Sequence, residues 1–232
     1  MAKKVNKTDE QFANVEENLT KAGLYVEKNQ DKLLKIVLSI IVIIALVVGY
    51  NTFIVEPNEK EAISEMYIAE FYFQNNEYSK ALNGDGQFSG FLTIADDYSS
   101  TDAGNLANYY TAICQMNLAS SDSSHYYENA ISSLNDFSTD DEIIQSLATG
   151  LIGDAYSELG NTAEALSYYN TAATEYINDF TTPYFMMKQA NIHEGTGDYS
   201  SALDLYNSIK SDYPQSKQGQ SIDKYISSAS NR

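Results

Sequence analysis

Residues 151–176, LIGDAYSELGNTAEALSYYNTAATEY, decide the fold of this chain. Small and aromatic residues stand there at offsets 0, 3, 7, 12, 16 and 19, namely Gly153, Tyr156, Gly160, Ala165, Tyr169 and Ala172. The next stretch, QANIHEGTGDYSSALDLYNSIKSDYP, repeats the pattern with Ala190, His193, Gly197, Ala202, Tyr206 and Ile209. Residue types that recur at fixed offsets indicate a stack of similar structural units.

Each residue type in this pattern has a structural reason. Small residues at offsets 0 and 12 let two antiparallel helices approach closely, and tyrosines fill the space between hairpins. A glycine at offset 7 permits the tight turn between the two helices. The pattern resembles the tetratricopeptide repeat, which implies helical hairpins stacked into a solenoid.

Weaker copies of the unit lie upstream. In IAEFYFQNNEYSKAL the matching residues are Ala69, Tyr72, Asn76 and Ala81, and the second helix is expected to contain an inserted loop. In NYYTAICQMNLASSDSSHYYENAISSLNDF they are Ala112 and Gln115, while Ala130 and Leu134 arrive six residues late because the connecting turn is longer. We therefore predict an all-α fold with about four hairpins and a polar capping helix near residues 216–228.

The run IVLSIIVIIALVVGYNTFIV, Ile36–Val55, carries no charge over twenty residues. A helix of that length, at ~1.5 Å per residue, matches a hydrocarbon core of roughly 30 Å. A buried core helix would usually keep a polar edge, and no small-residue cleavage site follows the run. The sequence predicts a retained single transmembrane helix over residues 33–55.

Charges near the two ends of this helix predict its orientation. Lys28, Lys32 and Lys35 precede the helix, whereas glutamates dominate the residues after it. The positive-inside rule places residues 1–32 in the cytoplasm and residues 56–232 in the periplasm of a bacterial inner membrane. The cytoplasmic part contains an amphipathic pattern from Phe12 to Val26, which either docks a partner or lies along the membrane surface.

Composition restricts the function of the C-terminal domain. From residue 56 onward it has 26 acidic residues against 7 Lys and Arg, a net charge of −19, which disfavours nucleic acid as a partner. Cys114 is the single cysteine, so no intrachain disulfide can form, and its apolar surroundings predict a small buried residue.

Candidate catalytic groups are few. The two histidines are His125, in a polar turn, and His193, at a repeat position usually held by tyrosine. The segment NGDGQF, residues 83–88, lacks the alternating acids and terminal glutamate of a calcium loop. We predict a non-enzyme with no cofactor and no metal site.

Stacked hairpins create a groove from their first helices, and the repeat register predicts which side chains face it. The first two units would contribute Ile63, Met66, Glu70, Phe73, Tyr109, Ile113 and Met116. The last two would contribute Leu147, Asp154, Ser157, Tyr184, Met187, Asn191 and Glu194. Met and aromatic side chains on an acidic background suit apolar or basic extended peptides, although several of these residues could instead pack internally.

Helix starts are also predicted. Thr139 and Glu142 have the spacing of a capping box, as do Asn161 and Glu164. Thr182 is expected to cap a helix that has Pro183 in its first turn, and Asp198 to cap the helix that carries Ala202.

The whole chain resembles membrane-anchored tetratricopeptide proteins of Bacteroidota. The similarity lies in EKNQDKLLKI before the apolar run, EPNEKEA after it, and YSSTDAGNLANYYTA, DDEIIQSLATGLIGDAYSELG and NDFTTPYFMMKQA in the domain. The layout is more distantly similar to the YfgM family, ancillary subunits of the SecYEG translocon. That resemblance implies protein partners among Sec components and a membrane-anchored periplasmic chaperone. An envelope scaffold for cell division or cell-wall synthesis is the alternative.

Overall fold

The computed structural model describes residues 7–119 and 124–232. The chain divides into two compact units, the first ending at Glu56 and the second starting at Pro57. All the regular elements in the described ranges are helical.

The first unit is built on one long helix. Helix α1 runs from Lys7 to Tyr50 and is followed by a π-helical turn, Asn51–Val55. The apolar side chains of α1 are exposed rather than packed in a core, with Leu46 at 68%. A helical segment, Gly23–Gln74, includes a stretch long and apolar enough to cross a membrane.

The amphipathic pattern predicted near the N-terminus falls within α1. Val15 and Val26 are 55% and 53% exposed, so neither packs against the rest of the chain. The side chains of Phe12, Leu19 and Ala22 lie outside the described residues, as do residues 1–6.

The second unit is a series of helical hairpins. Its helices are α2 (Glu56–Gln74), α3 (Tyr78–Asn83), α4 (Phe91–Asp97), α5 (Asp102–Leu118), α6 (Ser124–Asp136), α7 (Glu142–Glu158), α8 (Thr162–Thr174), α9 (Thr182–Gly195), α10 (Tyr199–Asp212) and α11 (Ile222–Ala229). A 3₁₀ turn, Gly219–Ser221, precedes α11. Helix α2 pairs with the divided helix α3 and α4, and the next three hairpins are α5–α6, α7–α8 and α9–α10.

The irregular units follow the sequence prediction. Residues 84–90 separate α3 from α4 and form the loop expected in the second helix of the first hairpin. In the second hairpin, Ala130 and Leu134 are buried in α6 at 0% and 2% exposure despite their late position. The fold is a tetratricopeptide-type solenoid that α11 closes at its C-terminal end.

Backbone conformation explains the residue at offset 7 of the repeat. Gly160 and Gly197 have φ values of 74° and 83°, and Asn76 at the same offset of the first unit has φ 60°. Left-handed backbone is easy for glycine and tolerated by asparagine, so all three positions turn the chain between two helices.

Close helix packing explains the small residues. Ala69, Ala81, Ala190 and Ala202 are all 0% exposed. A Cβ atom on Gly153 would lie 2.7 Å from ring atoms of Tyr169, a distance that no ordinary contact allows. Cys114 is also 0% exposed, as predicted, and burial raises the pKa of its thiol to about 12.

Two of the four predicted helix caps are confirmed and two are wrong. Asn161 accepts a hydrogen bond from Glu164 N at 3.4 Å, and Asp198 accepts one from Ser201 N at 3.2 Å. Helix α7, however, is capped by Asp141, which accepts from Ile143 N and Ile144 N at 2.9 and 3.0 Å. An aspartate directly before the first turn meets these amides, so the Thr139–Glu142 capping box does not form.

The cap of α9 is shifted by one residue. Thr182 is the first helical residue and Thr181 precedes it, with Pro183 at the second position. The Thr182 hydroxyl accepts from Asn178 N at 3.0 Å instead, and the Asn178 side chain accepts from Thr181 N at 2.7 Å. This turn holds the chain that leads into α9.

Candidate partner-binding surface

A large cavity of the second unit lies at its C-terminal end. This terminal cavity has a volume of about 920 Å³. Its walls come from α7, from α9 with the turn before it, and from the segment between α10 and α11. The lining residues include Leu147, Phe180, Tyr184, Met187, Lys188, Asn191, Gln218 and Tyr225. Tyr184 and Phe180 remain 39% and 67% exposed, so large apolar side chains are open to a ligand.

A smaller cavity lies where the second, third and fourth hairpins meet. This inter-repeat cavity has a volume of about 250 Å³ and is lined by Met116, Tyr127, Asp154, Ser157, Glu158, Tyr169 and Lys188. Lys188 of α9 belongs to the walls of both cavities, so the two adjoin along that helix.

Asp154 organises the boundary between the two cavities. Its Oδ1 accepts hydrogen bonds from Tyr169 Oη at 2.5 Å and from Lys188 Nζ at 2.7 Å. Lys188 also lies over the rings of Tyr169 and Tyr184, with Nζ 5.7 and 5.3 Å from their centroids. The side chains of Lys188 and Asp154 are 27% and 22% exposed, so the pair is partly shielded from water.

The pKa values of the three groups follow from this arrangement. Burial would lower the pKa of Lys188, but the hydrogen bond and the charge of Asp154 outweigh it and raise that pKa. Burial, and then the hydrogen bond to Asp154, raise the pKa of Tyr169. Near neutral pH, Lys188 is therefore charged and the Tyr169 phenol is protonated.

Eight of the predicted groove residues line a cavity. Leu147, Tyr184, Met187 and Asn191 line the terminal cavity, and Met116, Asp154 and Ser157 line the inter-repeat cavity. Asn191 and Glu194 line a third opening of about 350 Å³ with Ser228 and Arg232. These residues come from α5, α7 and α9, the first helices of their hairpins.

The predicted contribution of α2 is wrong at Met66. This side chain is 4% exposed and belongs to the core, because it shares one helical face with Ala62 and Ala69, both 0% exposed. The same helix exposes Ile63, Tyr67 and Phe71 at 56%, 71% and 55%. Of these three residues, the repeat register predicts only Ile63.

Four further predicted residues line none of the described cavities. The Phe73 ring contacts Phe91 and Tyr110, at centroid distances of 6.2 and 5.1 Å, so it packs between helices. The ring centroids of Tyr109 and Phe137 lie 5.2 Å apart, and burial raises the pKa of Tyr109. Glu70 and Ile113 are half-buried.

Sequence reasoning missed the second wall of the terminal cavity. Lys188, Gln218 and Tyr225 lie in or near regions that the repeat register treats as helix interior or polar cap. The sequence signal for this wall was Tyr225. A helix that only closes the solenoid needs a polar outer face, so a large aromatic residue in it indicates a further contact.

Groups for chemistry are sparse on this surface. In residues 7–119 and 124–232, no three His, Cys, Asp or Glu side chains are arranged to hold a metal ion. In the segment NGDGQF, Asp85 accepts from Gln87 N and Phe88 N, both at 2.9 Å, and from Tyr72 Oη at 2.7 Å. Its carboxylate thus shapes the loop between α3 and α4.

Comparison with known proteins supports the fold. The tetratricopeptide repeat family model matches residues 151–176 and 184–216. A crystal structure of nearly identical TPR-like repeats from a Podospora anserina kinesin-light-chain candidate superposes with a TM-score of 0.53. The two share 11% sequence identity, and the match covers 75% of this chain and 86% of the other. No curated protein sequence matches significantly.

These findings define the class of protein. The chain contains tetratricopeptide repeats over residues 151–176 and 184–216, and its hairpins stack as in a known TPR-like structure. Repeats of this kind form scaffolds that bind other proteins.

Proposed function

We propose that this chain is a membrane-anchored, non-enzymatic module that binds a protein partner through the terminal and inter-repeat cavities. The observation that carries the proposal is the terminal cavity of about 920 Å³, which exposes Tyr184 and Phe180 beside Met187. Exposed aromatic and methionine side chains in a groove are the anchors that peptide-binding surfaces use.

The proposed anchor is α1, with its N-terminus in the cytoplasm and residues 56–232 in the periplasm of a bacterial inner membrane. The exposed apolar side chains of α1 and the lysines at positions 28, 32 and 35 support this orientation. Single cysteines introduced at two exposed sites, Glu17→Cys and Asn207→Cys, test it in intact cells with a maleimide that crosses only the outer membrane.

In that experiment, Asn207→Cys reacts in intact cells and Glu17→Cys reacts only after lysis. The native chain is the matched control, because Cys114 is buried and stays unlabelled. Labelling of Glu17→Cys in intact cells would reverse the orientation, and labelling of both sites only after lysis would place the domain in the cytoplasm.

We further propose that the module acts beside the protein translocon, as a chaperone-like ancillary subunit that handles exported proteins. The layout of a short cytoplasmic part, one apolar helix and a repeat domain supports this role. Purification of the native chain from membranes, in a detergent that keeps the translocon intact, should recover Sec components. Recovery of the chain without them would contradict the role and leave the interaction module itself standing.

An envelope scaffold is the second candidate, and the exposed stripe on α2 favours it. Ile63, Tyr67 and Phe71 follow one another at four-residue spacing on one face of α2 and are each more than half exposed. Because a scaffold must hold two partners at once, a second apolar surface on α2 would serve that purpose. Enrichment of a fluorescent fusion at the division septum supports the scaffold, whereas uniform membrane distribution supports the translocon role.

A further inference from the structure

Positive charge in the second unit is concentrated near its C-terminus. Seven Lys and Arg residues follow residue 56, and five of them lie between Lys188 and Arg232. The acidic residues, in contrast, are spread along the whole unit. Residues 182–232 hold five basic and five acidic residues, so the last hairpin and its cap are neutral overall, and the net charge of −19 lies in the rest of the unit.

Three of these cations surround the terminal cavity. Lys188 and Lys217 line it, and Lys224 Nζ lies 4.8 Å from the ring centroid of Tyr225, another lining residue. Two carboxylates lie there, that of Asp179 in the same wall and that of Asp154, which pairs with Lys188. Cations thus outnumber carboxylates at this cavity, which is the reverse of the rest of the domain.

Two of the lysines keep donors free for a ligand. Lys217 is exposed and makes no ion pair with a carboxylate in the described part of the chain. Lys188 directs one hydrogen bond to Asp154, and an ammonium group has three donors. A carboxylate in the cavity could therefore be bound without breaking the Asp154–Lys188 pair.

Apolar side chains lie beside these ammonium groups. Leu147, Met187 and Tyr184 line the same cavity, and Lys188 lies over the Tyr184 ring at 5.3 Å. A ligand that is apolar throughout would leave Lys217 unpaired, and a basic ligand would be repelled by Lys217 and gain nothing from Lys188, which already pairs with Asp154. The chemistry of the wall fits apolar groups on either side of a negative charge.

We propose that the terminal cavity binds an extended partner segment in which an Asp or Glu side chain is flanked by large apolar residues. The inference rests on the proposed interaction function and names its ligand class. It differs from the sequence-based expectation of an apolar or basic extended peptide. The carboxylate would pair with Lys217 and Lys188 while the apolar residues contact Tyr184, Met187 and Leu147.

Fluorescence polarisation with the full-length chain in detergent micelles tests the proposal. The probes are three labelled short peptides that differ at one position, where Glu, Gln or Lys stands between two leucines. We expect the Glu peptide to bind about tenfold more tightly than the Gln peptide, and the Lys peptide to bind most weakly. Lys217→Gln should remove most of the difference, and Lys217→Glu should make the Lys peptide the preferred ligand.

The matched control is Lys80→Gln, which removes an exposed lysine that pairs with Glu77 at the first hairpin. It should leave all three affinities unchanged, and circular dichroism should show that each variant keeps its helical content. Equal binding of the Glu and Gln peptides, or tightest binding of the Lys peptide to the native chain, would overturn the proposal. So would a failure of all three peptides to bind.

The proposed interaction function can survive such a failure. If the peptides bind irrespective of charge and Tyr184→Ala abolishes that binding, the cavity is a peptide site but the inference about its charge is wrong. If none binds, the proposed ligand class is wrong. Crosslinking from position 184 in native membranes then tests the interaction function separately.

Discussion

Lys188 of the fourth hairpin donates a hydrogen bond of 2.7 Å to Asp154 of the third, across a boundary between two repeats. The two residues are 34 positions apart in the chain. Asp154 also accepts from Tyr169, so one carboxylate joins α7, α8 and α9. The cavities that we assign to partner binding meet at this carboxylate. Its removal should therefore lower both the stability of the second unit and its affinity for a partner.

Asp154→Ala should destabilise the second unit by roughly 2 kcal/mol, because it removes a partly buried acceptor of hydrogen bonds from both the Lys188 ammonium and the Tyr169 hydroxyl. Urea unfolding followed by circular dichroism measures this. Glu77→Gln at the exposed pair with Lys80 is the control, and its effect should be much smaller, because water screens that pair. Equal effects of the two changes would show that the Asp154 network adds no stability.

Gly150→Ala should destabilise the fold by about 1–3 kcal/mol through overpacking. A Cβ atom there would lie 1.9 Å from ring atoms of Phe185, which is 1% exposed and cannot move into solvent. Gly195→Ala is the matched control, since nothing lies within 4 Å of its added Cβ. Thermal unfolding should separate the two variants, and a Gly150→Ala protein as stable as the control would disprove the close contact between α7 and α9.

The loop between α3 and α4 should lose its hydrogen bonds only in strong acid. Backbone hydrogen bonds from Phe88 and Gln87, together with that from Tyr72, lower the pKa of Asp85 from 3.8 to about 2. A lowered folded-state pKa stabilises the fold above the unfolded value, and this stabilisation is lost as the pH falls through about 2. The amide NMR signals of Gln87 and Phe88 should titrate with that midpoint. A midpoint near 3.8 would mean that the carboxylate is free.

Cys114 should resist alkylation in the native protein. Burial raises its thiol pKa from 9.0 to about 12, so the reactive thiolate is scarce at pH 8 and also shielded. Because the folded-state pKa is the higher one, the associated stability is present below pH 9 and is lost as the pH rises toward 12. Iodoacetamide labelling at pH 8, followed by mass spectrometry, should be slow in buffer and rapid in urea. Rapid labelling in buffer would contradict the buried position.

Sequence predicted the fold better than the binding surface, and the reason is physical. The turns could be predicted because the backbone conformation at Gly160, Gly197 and Asn76 depends mainly on the residue itself. Their positive φ values agree with the predicted turns. Met66 was misplaced because the rotation of α2 depends on which neighbours cover it, and those neighbours come from other helices. Register alone does not determine that rotation.

Only one wall of the terminal cavity could be predicted from the sequence. Tyr184, Met187 and Asn191 were predicted because α9 follows the repeat pattern well. Most of the opposite wall, residues 215–221, lies in the turns between α10 and α11, where no helical pattern indicates which side chains turn inward. Lys188 was missed because its partner Asp154 belongs to another unit of the stack.

Photocrosslinking in native membranes tests most directly whether the terminal cavity is the partner-binding surface. The full-length chain carries a photoreactive amino acid at Tyr184, inside the cavity, or at Asn207, an exposed position on α10. We predict a discrete crosslinked partner from position 184 that is absent from position 207 and is reduced by Lys217→Glu. Equal crosslinking from both positions, or a discrete partner from position 207 alone, would contradict the assignment.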